Sequence, residues 1–307
     1  MDWQPAEPRA DQLKAPTVAA LLTCFNRREK TLGALQAIFS QNENVPRQLS
    51  VFLVDDNSTD GTAKAVAASF PAVHLLHGTG SLFWNGGMRV AFAEAMQSDF
   101  DYYLWVNDDT HLLPEALDIL LSTAEVLEQQ GKAAIVVGST FHPVHETWTY
   151  GGIRREFTWK GVRLTTVLPS ASAPQPCDTV NGNCTLIPRS VAQKVGNLDP
   201  AYRHAIGDFD YGFRARKAGF EIYVAPVYVG TCTPNSDKGT WRDRSAPFAV
   251  RWRNLRSLKG LPFREWVLYT SRHYGYLWPL YAISPYVKTL LGAGLRPSGF
   301  ETNEPEP

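Results

Sequence analysis

Leu104-Trp105-Val106-Asn107-Asp108-Asp109-Thr110 joins an apolar run directly to two carboxylates and a hydroxyl. Tyr102 to Val106 predicts a strand buried on both faces, and ligands of open α/β sheets sit beyond the carboxyl ends of such strands. Asp108 and Asp109 are therefore expected in the crevice. Adjacent side chains of an extended segment point to opposite faces, so Asp109 is expected to face a ligand while Asp108 braces the loop. Hard cations such as Mg²⁺ or Mn²⁺ take oxygen ligands, often one or two carboxylates plus substrate phosphates. The same residues, Asn107 to Thr110, also suit a turn that caps the helix predicted from about Pro114.

Upstream, three more units repeat the arrangement. Thr17 to Thr23 is an apolar strand ending in Cys24-Phe25-Asn26-Arg27-Arg28, followed by helical spacing at Leu32, Leu35, Ile38 and Phe39. Ser50 to Val54 ends in Asp55-Asp56-Asn57-Ser58-Thr59-Asp60-Gly61 before a helix that runs to about Ser69. Val73 to Leu76 leads through Gly78, Gly80, Gly86 and Gly87, glycines expected to let the backbone approach a ligand, into a helix carrying Met88, Phe92 and Met96. Downstream, the helix from Pro114 reaches Gln130 and Ala133 to Val137 supplies a fifth strand. Such alternation predicts an α/β fold, a mostly parallel Rossmann-like sheet flanked by helices.

The alternation stops near Gly138. Phe141 to Leu168, with β-like spacing at Phe157, Trp159, Val162 and Leu164, predicts hairpins flanking the site. Asp178 to Ile187 should return to the sheet, with Asn181-Gly182-Asn183 bending it at the cleft. After a short helix from about Ser190 to Val195, Gly207-Asp208-Phe209-Asp210-Tyr211 opens a helix closed by Gly219, and Glu221 to Ala225 predicts the last strand. From Trp241 to Arg296 there are ten Lys or Arg against two acids, Asp243 and Glu265, interleaved with Trp and Tyr. The uncharged aromatic run Tyr274 to Val287 is shorter than the ~18 apolar residues of a spanning helix. Two readings stay open: a surface lying on a membrane, or a basic helical cap on the main domain. The expected organisation is an extension at 1–15, a main domain at 16–240, a basic aromatic helical region at 241–296 and a disordered tail at 297–307.

Composition narrows the function classes. A chain of 307 residues, 44% hydrophobic and 20% charged, has the make-up of a globular protein with one large domain and an appendage. Formal net charge is +0, so nothing draws it as a whole to nucleic acid. Cys24, Cys177, Cys184 and Cys232 show no metal or disulfide spacing and read as small core residues. Met1 to Lys14 has no apolar run, so a cytoplasmic location is expected, peripheral to the membrane at most. No GxGxxG follows the first strand, which weighs against a dinucleotide-binding dehydrogenase.

Three acidic clusters, Asp55/Asp56, Asp108/Asp109 and Asp208/Asp210, should share one sheet edge and so need a cationic partner. A metal-bound diphosphate would supply it, with Asp56 free to accept hydrogen bonds from a base or ribose and the last cluster free for proton transfer. Taken singly, the first and last clusters also suit helix N-termini.

The ordered set Thr23-Cys24-Phe25-Asn26-Arg27, Val54 to Thr62, Asn107-Asp108-Asp109-Thr110 and Gly207 to Tyr211 resembles the motifs of family 2 glycosyltransferases of the GT-A fold, above all bacterial rhamnosyltransferase-like members that build surface polysaccharides. The resemblance implies that Thr23, Phe25, Asn26, Arg27, Asp55 and Asp56 hold the nucleotide together with Asn107 and Asp108. It further implies that Asp109 stands at the metal position of the DxD motif, that Arg89 meets the diphosphate, and that Asp208 is the base, with Asp210 its rival. Asn107 replaces the first Asp of DxD, no His follows near Cys232, and Gly207 stands where relatives often carry Glu. The implied activity is inverting transfer of a sugar, rhamnose among the candidates, from a dTDP- or UDP-linked donor to a glycan or lipid-linked acceptor, with a divalent metal. The competing expectation is a non-catalytic nucleotide- or glycan-binding module of the same fold.

Overall fold

A computed structural model describes residues 15–42, 48–158 and 161–291. The expectations for residues 1–14, for Trp159 and for the segment 292–307 lie outside the described residues. Strand β1 (Val18–Cys24), helix α1 (Arg28–Phe39), β2 (Leu49–Asp55), α2 (Thr62–Ser69), β3 (Val73–His77), α3 (Phe83–Ala95) and β4 (Tyr102–Val106) alternate as the apolar runs predict. Then follow β5 (His111–Leu112), α4 (Ala116–Gln129), β6 (Ala134–Phe141), β7 (Trp148–Tyr150), β8 (Ile153–Thr158), β9 (Gly161–Thr166), β10 (Gln175–Pro176), β11 (Cys184–Pro188), α5 (Arg189–Val195), α6 (Gly207–Lys217) and β12 (Glu221–Thr231). Three helices end the described chain: α7 (Phe248–Leu255), α8 (Phe263–His273) and α9 (Trp278–Leu290).

The main sheet has the order β10-β12-β6-β11-β4-β1-β2-β3, with β5 beside β12 and β7 beside β6. β3, β2, β1 and β4 pair in parallel, as do β6 and β12. Antiparallel β11 joins the two sets, with Cys184 opposite Val106. The segment expected to return to the sheet does so, but reversed. That reversal brings Gly182 and Asn183 to the same edge as the carboxyl ends of β1, β2 and β4. β12 runs past the predicted end at Ala225 to Thr231, through two register shifts opposite β6, and so carries Cys232 to this edge.

Strict alternation sorts the two faces. Val18, Ala20 and Leu22 of β1 pack with Leu104 and Val106 against Leu35 and Ile38 of α1 and Leu117 and Leu120 of α4. Ala19 and Leu21 face the other way, with Tyr103 and Trp105, toward Met88 and Phe92 of α3 and Tyr211 of α6. Trp105 is fully buried, its ring 4.9 Å from that of Tyr211 and 5.8 Å from that of Phe92. Among the glycines of this loop and helix, Gly87 has a packing role: a Cβ there would lie 2.0 Å from Thr23 Oγ1, so α3 packs directly on β1.

A third cluster lies off the sheet. The β8–β9 hairpin offers Ile153, Val162 and Leu164 to Phe209 and Phe213 of α6 and to Tyr269 of α8. α6 itself starts with Asp208 and Asp210, ends with Arg214, Arg216 and Lys217, and is closed by Gly219 at φ 96°, charges and a terminator that suit the helix dipole.

Candidate functional site

Four loops meet at the carboxyl edge of the sheet. Asn26, at φ 51°, receives Thr59 N on its Oδ1 at 2.7 Å and gives its own N–H to Ser58 Oγ at 2.9 Å, which locks the loop after β1 to the loop after β2. Asp55 is buried and accepts Ser58 N at 2.9 Å. Asp56, also buried, accepts Gly80 N at 2.7 Å on one oxygen and Leu82 N and Phe83 N at 2.9 and 3.2 Å on the other. Three main-chain donors make Asp56 the brace of the loop before α3, a demand on its lone pairs that the sequence does not reveal. Thr23 likewise spends its hydroxyl on Val54 O, at 3.2 Å. Phe25 is half exposed beside these loops.

Asp108 and Asp109 do not divide between two faces as an extended strand would require. The strand ends at Val106, Thr110 N closes a turn on Asn107 O at 3.1 Å, and both carboxylates reach the guanidinium of Arg27. Asp108 pairs with it at 2.8 Å, while Asp109 pairs with it more closely still and has Lys30 Nζ 3.7 Å away. Burial pushes the Asp108 carboxyl up to about 7, against the pull of Arg27 and with the help of the Asp109 charge. Its Oδ2 is buried without a hydrogen-bond partner. A shallow cleft of about 440 Å³ opens here, lined by Asn26, Arg27, Arg28, Glu29, Lys30 and Asp60.

The donor set suits a hard divalent ion: two carboxylates, one holding an orphaned buried oxygen, in reach of a basic cleft. No group of three or more His, Cys, Asp or Glu is gathered to hold a metal among the described residues, so two carboxylates would share the ion with a diphosphate. Cys232, read from sequence as a core residue, places Sγ 3.8 Å from Asp109 Oδ1, and burial pushes its thiol up to about 12 with the Asp109 charge adding to the shift.

Trp84 links this half of the site to the other. Its Nε1 donates to Asn107 Oδ1 at 2.6 Å, and a Cβ on Gly182 would lie 2.2 Å from its ring. Gly182 N in turn donates to Asp208 Oδ2 at 3.0 Å, and Phe209 N to Oδ1 at 2.9 Å. Half-buried Asp208 thus opens α6 with both oxygens held by main-chain donors. Burial pushes its carboxyl up to about 6, although both N–H donors oppose the shift. His204 stands near, 3.5 Å from Trp84 N, with burial holding it down at about 4.

Gly207, which replaces an expected Glu, has a steric cause. A Cβ there would sit 1.9 Å from Oδ1 of the buried Asn85, whose Nδ2 holds Tyr202 O at 2.6 Å. Ile206 precedes it at φ 60°. Asn26, Asn57, Phe83 and Ile206 are four of the five non-glycine residues at positive φ among the described residues, and all four lie in the loops of this edge. Such strained conformations concentrate where a site overrides local preference.

Asp210 does not join the cleft. It is fully buried on the far side of α6, with His273 Nε2 2.8 Å and Arg272 3.4 Å from Oδ1, Arg214 Nε 2.7 Å from Oδ2, and Tyr202 donating to Oδ1 at 3.2 Å. Burial works to raise its pKa, but His273 and Arg214 outweigh it and hold the carboxylate at about 2. Arg89, on α3, accepts Asn197 Nδ2 on its main-chain O at 2.9 Å, and its Nε is buried without a hydrogen-bond partner.

This edge, with a parallel sheet on either side of one reversed strand, defines an α/β protein of the GT-A type. The chain belongs to the family described as glycosyltransferase like family 2, which matches residues 15–257. It is 27% identical to an N-acetylglucosaminyl-diphospho-decaprenol L-rhamnosyltransferase of Mycobacterium tuberculosis over 203 residues, 60% of this chain and 66% of that one. An undecaprenyl-phosphate mannosyltransferase of Micrococcus luteus is 27% identical over 150 residues, 47% of this chain and 56% of that one. The chain thus matches somewhat less than two thirds of the length of these curated relatives. In fold it is similar to mannosyltransferase PcManGT from Pyrobaculum calidifontis, solved in complex with GDP-Man and Mn²⁺, at a TM-score of 0.57 and 17% identity, covering 96% of this chain and 81% of that one. S. aureus TarS gives a TM-score of 0.54 at 11% identity, over 85% of this chain and 44% of that one.

The two carboxylates of α6 predict opposite stability effects. Asp210, with a folded pKa of about 2 below its ordinary value, adds stability that is complete above that ordinary value and is lost as pH falls through about 2. Asp208, with a folded pKa of about 6, weakens the fold as pH rises toward and through that value. At pH near neutral, Asp210→Asn should cost about 3 kcal/mol in urea unfolding, because it removes the buried carboxylate that Arg214, Arg272, His273 and Tyr202 all meet, while Asp208→Asn should cost less.

Proposed function

We propose that this protein is an inverting glycosyltransferase that moves a sugar from a nucleotide-diphosphate donor to a lipid-linked acceptor, with Asp208 as base. The observation that carries the reading is the contrast within α6: Asp208 is half-buried, held only by the N–H groups of Gly182 and Phe209, with its pKa raised to about 6, whereas Asp210 is sealed by Arg214, Arg272 and His273. A base needs a lone pair that an acceptor hydroxyl can reach and a pKa close to working pH. Asp208 has both; Asp210 has neither.

The loops after β1, β2 and β4 are assigned to the donor. Asn26 and Asp55 keep the two nucleotide-side loops in register, and Asp56 shapes the loop that carries Trp84. Arg27 and Lys30 give the diphosphate its positive charge, and Asn107 fixes Trp84 between donor and acceptor sides. Asp108 and Asp109 would hold a divalent ion, Mg²⁺ or Mn²⁺, which when bound stabilises the charge growing on the leaving diphosphate. Arg27, freed from the carboxylates, could then turn to the phosphates. With the donor so fixed, Asp208 takes the proton of the acceptor hydroxyl as its oxygen attacks the anomeric carbon, and a single displacement inverts the configuration there. The rhamnosyl and mannosyl relatives, both of whose names carry polyprenyl carriers, support a lipid-linked acceptor and leave rhamnose, from a dTDP- or UDP-linked donor, as the first sugar to test.

In single-turnover transfer, Asp208→Asn should lose about 10²–10⁴-fold in rate while binding nucleotide normally. The wild-type rate should fall about tenfold for each pH unit below about 6. Retention of most of the rate by Asp208→Asn would remove it as base. Separately, UDP and dTDP affinity measured by calorimetry should rise with Mn²⁺ and lose that dependence in Asp109→Asn; affinity indifferent to the ion in the wild type would remove the metal role.

A further inference from the structure

The family match ends at residue 257, so α8 and α9 lie beyond it and need their own account. α8 is fastened to the main domain: Arg272 and His273 hold Asp210, and Glu265, itself buried, pairs with Arg203 at 3.0 Å. α9 packs on α7 and α8 by its inner face, where Ala282, Pro285, Tyr286 and Thr289 are buried. Among the described residues, its outer face has no such cover. Leu280, Ile283, Val287, Leu290 and Leu291 are 66, 52, 41, 57 and 76% exposed, at spacings that bring them onto one side of a helix. Lys288 is the sole charged residue within α9. Phe263 of α8, 57% exposed, borders α9, its ring 5.5 Å from that of Tyr286.

We propose that this face of α9, extended by Phe263, seats in the headgroup boundary of an anionic membrane. Charge selects that occupant over a second copy of the chain. Between residues 241 and 291 there are nine Lys or Arg and two acids, Asp243 and the buried Glu265. Arg253, Arg256, Lys259 and Arg264 are exposed, and Arg256 stands 5.9 Å over the ring of Trp252, which itself packs 6.2 Å from Tyr286. Two such surfaces would repel each other, whereas anionic headgroups attract them and Trp and Tyr settle at that depth. α9 has 13 residues, about 20 Å at helical rise, and no helix among the described residues is long and apolar enough to cross a bilayer. It therefore lies in the interface plane. Because α8 is tied through Asp210 to α6, the docked surface holds Asp208 at a fixed relation to the membrane.

This surface would serve the lipid-linked acceptor of the reading above, yet its test requires no sugar transfer. The full chain is sedimented with phosphatidylcholine vesicles, with and without phosphatidylglycerol. The wild type should partition onto the phosphatidylglycerol vesicles alone. Ile283→Glu with Val287→Glu should lower that partition at least about tenfold, as expected for two aliphatic side chains withdrawn from the boundary, with an unchanged unfolding midpoint. Leu280→Gln with Leu290→Gln repeats the test more gently should the charged pair fail to fold. Absence of wild-type binding, or equal binding by folded variants, would overturn the proposal. So would a dimer that the same substitutions dissociate, which would give the face to a second copy.

Discussion

A carboxylate taken fully out of water has to be met by positive charge and hydrogen-bond donors, and Asp210 sets that condition at the centre of this fold. Its partners come from three places: Arg214 one turn further along α6, Tyr202 in the preceding loop, and Arg272 with His273 at the end of α8. Satisfying it fixes the rotation of α6, and that rotation decides everything else the helix touches. Gly207 then falls against Asn85, Tyr211 against Trp105, Gly212 against Thr179, and Asp208 against Gly182. Two carboxylates two residues apart thus acquire contrary environments from one helix orientation: one is held as an anion by cationic side chains, the other meets only the N–H groups of Gly182 and Phe209.

The same contrast recurs at the end of β4. Asp108 and Asp109 share Arg27, but the shared cation cannot satisfy both fully: Asp108 keeps an orphaned oxygen and a raised pKa. On the proposed reading, a divalent ion would take the place of Arg27 between these carboxylates. Arg27 has over a third of its side chain exposed, and Lys30 stands close by, so the cleft would keep positive charge for phosphates after such an exchange.

Much of the scaffold was legible in the residues. β1, β2 and β4 are short uninterrupted apolar runs that end in polar loops, and the run-to-helix alternation carries the parallel half of the sheet with no need of tertiary information. The direction of β11 was not legible, because Cys184 to Pro188 has the same apolar character whichever way it runs, and its reversal is decided by pairing with β4 and β6. The expected division of Asp108 and Asp109 between two faces failed because that argument carries extended backbone on through Asp109, whereas a turn closed by Thr110 N on Asn107 O follows the strand's end at Val106. Trp84 and Cys232 were missed as site residues for a related reason: their partners, Asn107 and Asp109, lie 23 and 123 positions away, and nothing local marks them apart from other core-type side chains. Asp210 could not be set apart from Asp208 by local pattern, since both suit a helix N-terminus; partners such as Arg272 and His273, 62 and 63 residues on, separate them.

The division of labour within α6 is most directly tested by following the carboxyl carbons of Asp208 and Asp210 by ¹³C NMR through a pH titration of the intact protein, assigned with the single Asn variants. The account predicts an inflection for Asp208 near its raised value of about 6 and an Asp210 that stays ionised down to about 2. An Asp208 that titrates at or below the ordinary aspartate range, or an Asp210 that takes up its proton near neutrality, would contradict it.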